Sequence, residues 1–118
     1  YADIKQYEKA IEDFTKDIEL NPTNDEAYNG RGSAYADRKQ YEKAVEDFTR
    51  LMELNPDDIV PYYNIARVYS ITKKIEGACR MIQKAVEKGF DDWESIKDET
   101  DFHNIRDASC FKEIMTGR

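Results

Sequence analysis

Between Tyr41 and Leu54 the apolar residues fall three and four apart. Tyr41, Ala44, Val45, Phe48, Leu51, Met52 and Leu54 take one face, and Glu42, Lys43, Glu46, Asp47 and Arg50 take the other. That period predicts an amphipathic helix with a buried and a wet side. Asn55-Pro56 ends it, because proline disfavours the helical region for the residue before it. Upstream, Tyr28, Arg31, Gly32, Tyr35 and Ala36 mark another helix, with small residues set among aromatics. The short turn Asp37-Arg38-Lys39-Gln40 predicts that the two pair antiparallel. Thr23, three residues before Glu26, has capping-box spacing, and Asn24 is an equal candidate for the cap. Further on, Pro61 opens a helix with Tyr62, Ile65, Ala66 and Tyr69, where a first-turn proline loses nothing. A turn at Thr72-Lys73-Lys74 leads into a helix from about Ile75 to Lys88, with Gly89 placed to cap it.

The pattern recurs in the letters themselves. Residues 1–22, YADIKQYEKAIEDFTKDIELNP, and 35–56, YADRKQYEKAVEDFTRLMELNP, align without gaps 34 positions apart. They differ only at Ile4/Arg38, Ile11/Val45, Lys16/Arg50, Asp17/Leu51 and Ile18/Met52. A fixed period of this size predicts stacked helical pairs, none of which buries its apolar face alone. Gly32, Ala44, Ala66 and Ala78 would let helices approach, with Phe48 and Tyr35 filling the space beside them.

Tyr28-x2-Arg31-Gly32-x2-Tyr35, then Ala44-x3-Phe48, then Pro56, resembles the tetratricopeptide repeat pattern of W-x2-L-G-x2-Y, A-x3-F and P over 34 residues. A third copy offers Tyr62-x2-Ile65-Ala66-x2-Tyr69 and Ala78-x3-Ile82, with Phe90 where proline is expected. The first offers Tyr1, Ala10-x3-Phe14 and Pro22. Departures are Arg31 for leucine, Tyr28 and Tyr62 for tryptophan, and Ile82 for phenylalanine. The resemblance covers about residues 1–90 and implies an all-α chain, an α-α superhelix or solenoid of about two and a half helix-turn-helix repeats. The organisation it implies is a partial repeat at 1–22, repeats at 23–56 and 57–90, and a helical cap over 91–118.

At the N-terminus the resemblance leaves the opening repeat without most of its first helix, as in a fragment of a longer array. The helix carrying Tyr7, Ala10, Ile11, Phe14 and Ile18 is then expected to lack a partner, and self-association through Tyr7, Ile11, Phe14 and Ile18 is one consequence. At the C-terminus Phe90-Asp91-Asp92-Trp93 leads to a short segment ending near Lys97. Phe102, Ile105, Phe111, Ile114 and Met115 then supply a cap on two short helices, the first starting at Thr100 or Asp101. Trp93 is expected to pack that cap rather than stack on a ligand.

In this family the first helix of each repeat lines a concave groove that holds a peptide or helix. Carried over by position, the groove residues are Glu26, Asn29, Gly30, Ser33 and Asp37, with Val60, Tyr63, Asn64, Arg67, Ser70 and Ile71 in the next repeat. Asn64 and Arg67, three apart, share a face, where an amide and a guanidinium could hold a peptide backbone and a carboxylate. A clamp for a chaperone's C-terminal carboxylate needs several Lys, Arg and Asn over three first helices, and these positions do not supply it. The implied activity is non-catalytic protein or peptide binding, as a scaffold or adaptor. Self-assembly and a regulatory segment of a larger enzyme are the alternatives.

Composition narrows this further. The net charge of −7 disfavours nucleic acid, whose phosphates need clustered bases. The basic residues Lys73, Lys74, Arg80, Lys84 and Lys88 are interrupted by Glu76 and Glu87, as on a solvated helix face. No stretch is long and apolar enough to insert in a membrane. Cys79 and Cys110 lie outside any metal-type spacing and, with His103 alone, give no zinc site. They read as two small core thiols in a reducing compartment, which points to the cytoplasm. Asp98, Glu99 and Asp101 lack the spacing of a cation loop. No nucleophile motif or phosphate loop stands out, so neither cofactor, metal nor catalysis is expected.

Overall fold

A computed structural model describes residues 4–92, 100–106 and 108–116. Tyr1, Trp93, the segment to Lys97, and the Asp98-Glu99 pair lie outside the described residues, as do the side chains of Asp101 and Met115. Among the described residues six α-helices follow one another: α1 Ile4–Leu20, α2 Asp25–Asp37, α3 Tyr41–Leu54, α4 Val60–Ile71, α5 Ile75–Glu87 and α6 Ser109–Thr116. A 3-10 helix, Thr100–Ile105, precedes the last of them. No strand occurs among the described residues, and the architecture is all-α. The chain forms two compact units, Tyr1–Pro56 and Asp57–Arg118.

In the first unit α2 packs against both α1 and α3. Its start is fixed by Asn24, whose side chain accepts a hydrogen bond from the Ala27 N–H at 3.2 Å, so Asn24 rather than Thr23 is the cap. Thr23 turns back to Asn21 instead, donating its hydroxyl to Oδ1 at 2.9 Å. The helix ends in a left-handed residue, Lys39 at φ 63°, with the Gln40 N–H reaching the Tyr35 carbonyl at 2.8 Å. Two glycines let aromatic rings close on α2. A Cβ on Gly30 would stand 2.4 Å from the tip of Phe14, and one on Gly32 would stand 2.9 Å from the ring of Phe48.

In the second unit α4 packs on α5, the 3-10 helix lies on both, and α6 lies on α5. Pro61 sits in the first turn of α4, as its position predicts. The α4–α5 turn repeats the earlier one. Lys73 has φ 63°, and the Lys74 N–H bonds the Tyr69 carbonyl at 2.8 Å. Gly89, at φ 108°, closes α5 in the same way. Ala66, Ala78, Cys79, Ile82, Phe102, Ile105 and Phe111 form the core, so the 3-10 helix and α6 supply three of its four large apolar side chains. Asn104 ties the cap to α4 by donating its amide to the Ser70 carbonyl at 2.8 Å.

The cysteines correct the reading as free thiols. Cys79 on α5 and Cys110 on α6 are joined in a disulfide, with their Cα atoms 6.1 Å apart. Sequence spacing says nothing of which helix faces meet, and packing α6 on α5 brings the two together across a separation of 31 residues.

Candidate functional site

The first-helix positions expected to meet a partner form one stripe on each of α2 and α4. On α2, Glu26 and Asp37 are exposed, and Asn29 and Ser33 are half-buried between them. The opposite sides of that helix are committed to the interior through Ala27, Tyr28, Gly32 and Ala34. Gly30 is half-buried as well, with the tip of the Phe14 ring where a side chain would stand.

On α4, Asn64, Arg67 and Ile71 are half-buried and Val60 is 49% exposed. Tyr63 is engaged from the other side. Its ring centroid lies 5.2 Å from that of Phe102, edge-on, and 5.7 Å from that of Phe90. Its ring therefore belongs to the packing of the cap as much as to any contact surface. Ser70 is fully buried and cannot touch a partner. Each stripe lies within its own unit.

Behind the α2 stripe lies a polar network that helical periodicity misplaced. Asp47 was expected on the wet face of α3, yet it is 4% exposed. Arg31 donates Nε–H and Nη2–H to its two carboxylate oxygens at 2.9 and 2.7 Å, a bidentate pair. Its remaining Nη1 donates to the Thr15 hydroxyl of α1 at 3.2 Å. The guanidinium carbon also lies 5.9 and 5.8 Å from the rings of Tyr28 and Tyr35. One side chain thus ties three helices together. The hydrogen bonds to Asp47 raise the arginine's pKa; burial opposes this, and the carboxylate's charge reinforces it. The sequence held a signal for this pair. Shifted by 34, Arg31 and Asp47 become Ile65 and Met81, so both positions turn apolar together.

Other expected features resolve simply. Lys73, Lys74, Arg80 and Lys84 are exposed, as a solvated face requires. Lys88 instead approaches Asp57 at 3.8 Å and lies over the Tyr62 ring. No group of three or more metal-ligating side chains is gathered among the described residues. No helix among them is long and apolar enough to cross a membrane.

No curated protein matches the chain. Family models do. Tetratricopeptide repeat models match residues 25–58 and 61–87, and a TPR repeat model matches 1–37. Repeats of this kind generally mediate protein–protein interaction and scaffolding, typically without catalysis. The matches follow the helical pairs found in the structure, and the chain belongs to the tetratricopeptide repeat family.

Proposed function

We propose that the chain is a non-catalytic recognition module that holds a protein or peptide segment along the first-helix stripes of its repeats. The residues are Glu26, Asn29, Ser33 and Asp37 on α2, and Asn64, Arg67 and Ile71 on α4, with the Tyr63 ring edge beside them. The observation that carries this reading is the third side of α2. Two sides are taken up by α1 and α3, while Glu26 and Asp37 stay exposed on a stripe with the 34-residue register of the family's contact positions. The α2 stripe carries two acids, an amide and a hydroxyl, and the α4 stripe an arginine and an amide, groups that suit an extended backbone carrying charges.

Site-specific photo-crosslinking tests it. A photoreactive amino acid at Ser33 or at Arg67 should capture one and the same protein from source-cell extract. The same group at Glu46, on the exposed side of α3, should not. Capture from Glu46 alone would refute the stripe.

The compartment is a separate matter. Disulfides persist where the environment is oxidising, so the Cys79–Cys110 bond favours such a setting over the cytoplasm. Thiol trapping in intact cells decides it. Two free thiols on the native protein would return it to a reducing compartment.

A further inference from the structure

The two parts of the cap are held in different ways. The 3-10 helix packs on both α4 and α5, with Phe102 and Ile105 0% exposed and Asn104 bonded to the Ser70 carbonyl. By contrast, α6 packs mainly on α5. It has eight residues, fewer than a helix needs to persist unaided in water. Among its described side chains Phe111 is buried, Cys110 and Ile114 are half-buried, and Ser109, Lys112 and Glu113 are exposed. One buried ring does not offset the entropy of ordering two helical turns. The Cys79–Cys110 bond therefore supplies much of what keeps α6 in place.

That bond is also within reach of solvent. An open cavity of about 350 Å³ lies over it, lined by both cysteines with Glu76, Arg80, Gln83 and Glu113. Cys79 is 4% exposed and belongs to the core, whereas Cys110 is half-buried in the first turn of α6. A thiolate entering the cavity thus meets the Cys110 sulfur first. Side chains of both charges line the cavity, so it admits glutathione, which carries both.

We propose that the Cys79–Cys110 disulfide is a redox latch on α6, opened through this cavity by a small thiol such as glutathione. The thiolate attacks Sγ of Cys110 and forms a mixed disulfide there. The electron pair of the broken S–S bond leaves on Sγ of Cys79 as a thiolate. A second glutathione thiolate attacks the glutathione sulfur of the mixed disulfide, and Cys110 leaves in turn. Two glutathione thiols become one glutathione disulfide, and their two electrons and two protons end on Cys79 and Cys110. With the bond gone α6 comes away from α5, while the 3-10 helix keeps its own anchors on α4. Oxidised glutathione runs the same steps backwards and closes the latch. It stays shut in an oxidising setting and opens where small thiols are kept reduced. None of this rests on the α2 and α4 stripes.

The test treats the folded 118-residue chain with reduced glutathione, quenches with acid, alkylates the free thiols and maps them by mass spectrometry. A transient species with glutathione on Cys110 and the alkyl group on Cys79 is expected, at a rate proportional to glutathione. Amide hydrogen exchange reads the release. On reduction the α6 amides, Lys112 among them, should exchange about tenfold faster or more, while those of α4, α5 and the 3-10 helix hold their rates. The double variant Cys79→Ala with Cys110→Ala should show the same fast α6 exchange with or without glutathione. Oxidised glutathione should restore slow exchange in the parent alone. A reduction rate independent of glutathione would overturn the proposal, because the bond would then open only when the whole unit unfolds. So would glutathione captured on Cys79, an α6 that stays protected after reduction, or protection lost evenly across the second unit. Two thiols that stay unpaired in oxidised glutathione would overturn it as well.

Discussion

The Arg31–Asp47 pair supports a prediction with a control built into the chain. The equivalent positions of the next repeat are Ile65, 2% exposed, and Met81, half-buried beside the core. The same helical pair is thus made with either an ion pair or two apolar side chains. Asp47→Met alone removes both acceptors of a bidentate guanidinium whose side chain is 19% exposed. That exposure gives Arg31 a path to water and Thr15 keeps one of its bonds, so the loss should be about 2 kcal/mol, below the range for a fully buried pair. Arg31→Ile alone leaves a carboxylate whose side chain is 6% exposed without its donors. Its loss should be larger, about 3 kcal/mol. The double variant, Arg31→Ile with Asp47→Met, should return to within about 1 kcal/mol of the parent or exceed it, since no charge is then left stranded.

Urea unfolding of the four proteins, followed by far-UV circular dichroism with slopes compared, gives the cycle. A coupling of about 4 kcal/mol or above is expected, the sum of the two single losses less what the double variant still loses. A double variant as weak as the sum of the singles would refute the reasoning, because the network would then be doing something an apolar pair cannot. The pH dependence has a definite sign. A folded pKa raised above the unfolded one gives stability that is fully present below the unfolded value and fades only as pH climbs through the folded one. The arginine's contribution should therefore be undiminished through the neutral and mildly alkaline range.

Four further outcomes follow from the packing. Phe48→Ala, at a side chain that is 0% exposed and seated on Gly32, should lower stability by about 3–5 kcal/mol in the same unfolding assay. Lys39→Gly should raise the melting temperature, because φ 63° costs a non-glycine residue about 1 kcal/mol and glycine recovers most of it. Ser70→Ala should stabilise by about 1 kcal/mol, since the Ser70 hydroxyl is buried with no hydrogen-bond partner among the described residues. Cys110→Ser should cost about 3 kcal/mol by freeing the loop that the disulfide closes, and a reductant should then leave the variant's melt unchanged while lowering the parent's.

The helices, their turns, the first-turn Pro61 and the closing Gly89 were legible because each is fixed by residues within a few positions of one another, and for the same reason the α2 cap was narrowed to Thr23 or Asn24. What was not legible depends on neighbours far along the chain. Periodicity placed Asp47 with Glu46 and Arg50 on the wet side of α3. A carboxylate at the edge of an apolar face is buried only when a particular donor waits opposite, and Arg31 lies 16 residues away. Tyr63 fits a contact stripe by register, yet Phe90 and Phe102 come from the cap and take up its ring. Cys79 and Cys110 show no motif, and only the packing of α6 on α5 pairs them.

The same dependence on neighbours separates fold from recognition in α2. This helix has a weak apolar bias of its own, with alanines, glycines and tyrosines spread around it. A helix in contact on two sides cannot have one apolar face and one wet face. It closes on α1 through Gly30 and on α3 through Gly32, and Arg31 between them bonds to both helices at once. Such a helix is held by close approach and by one shared polar side chain, and little of its stability rests on Glu26, Asn29, Ser33 and Asp37. Those residues are therefore free to differ from repeat to repeat, as they do against Val60, Tyr63, Arg67 and Ile71 at the same register. The letters that recur between copies specify the repeat, and those on the α2 and α4 stripes change without disturbing it.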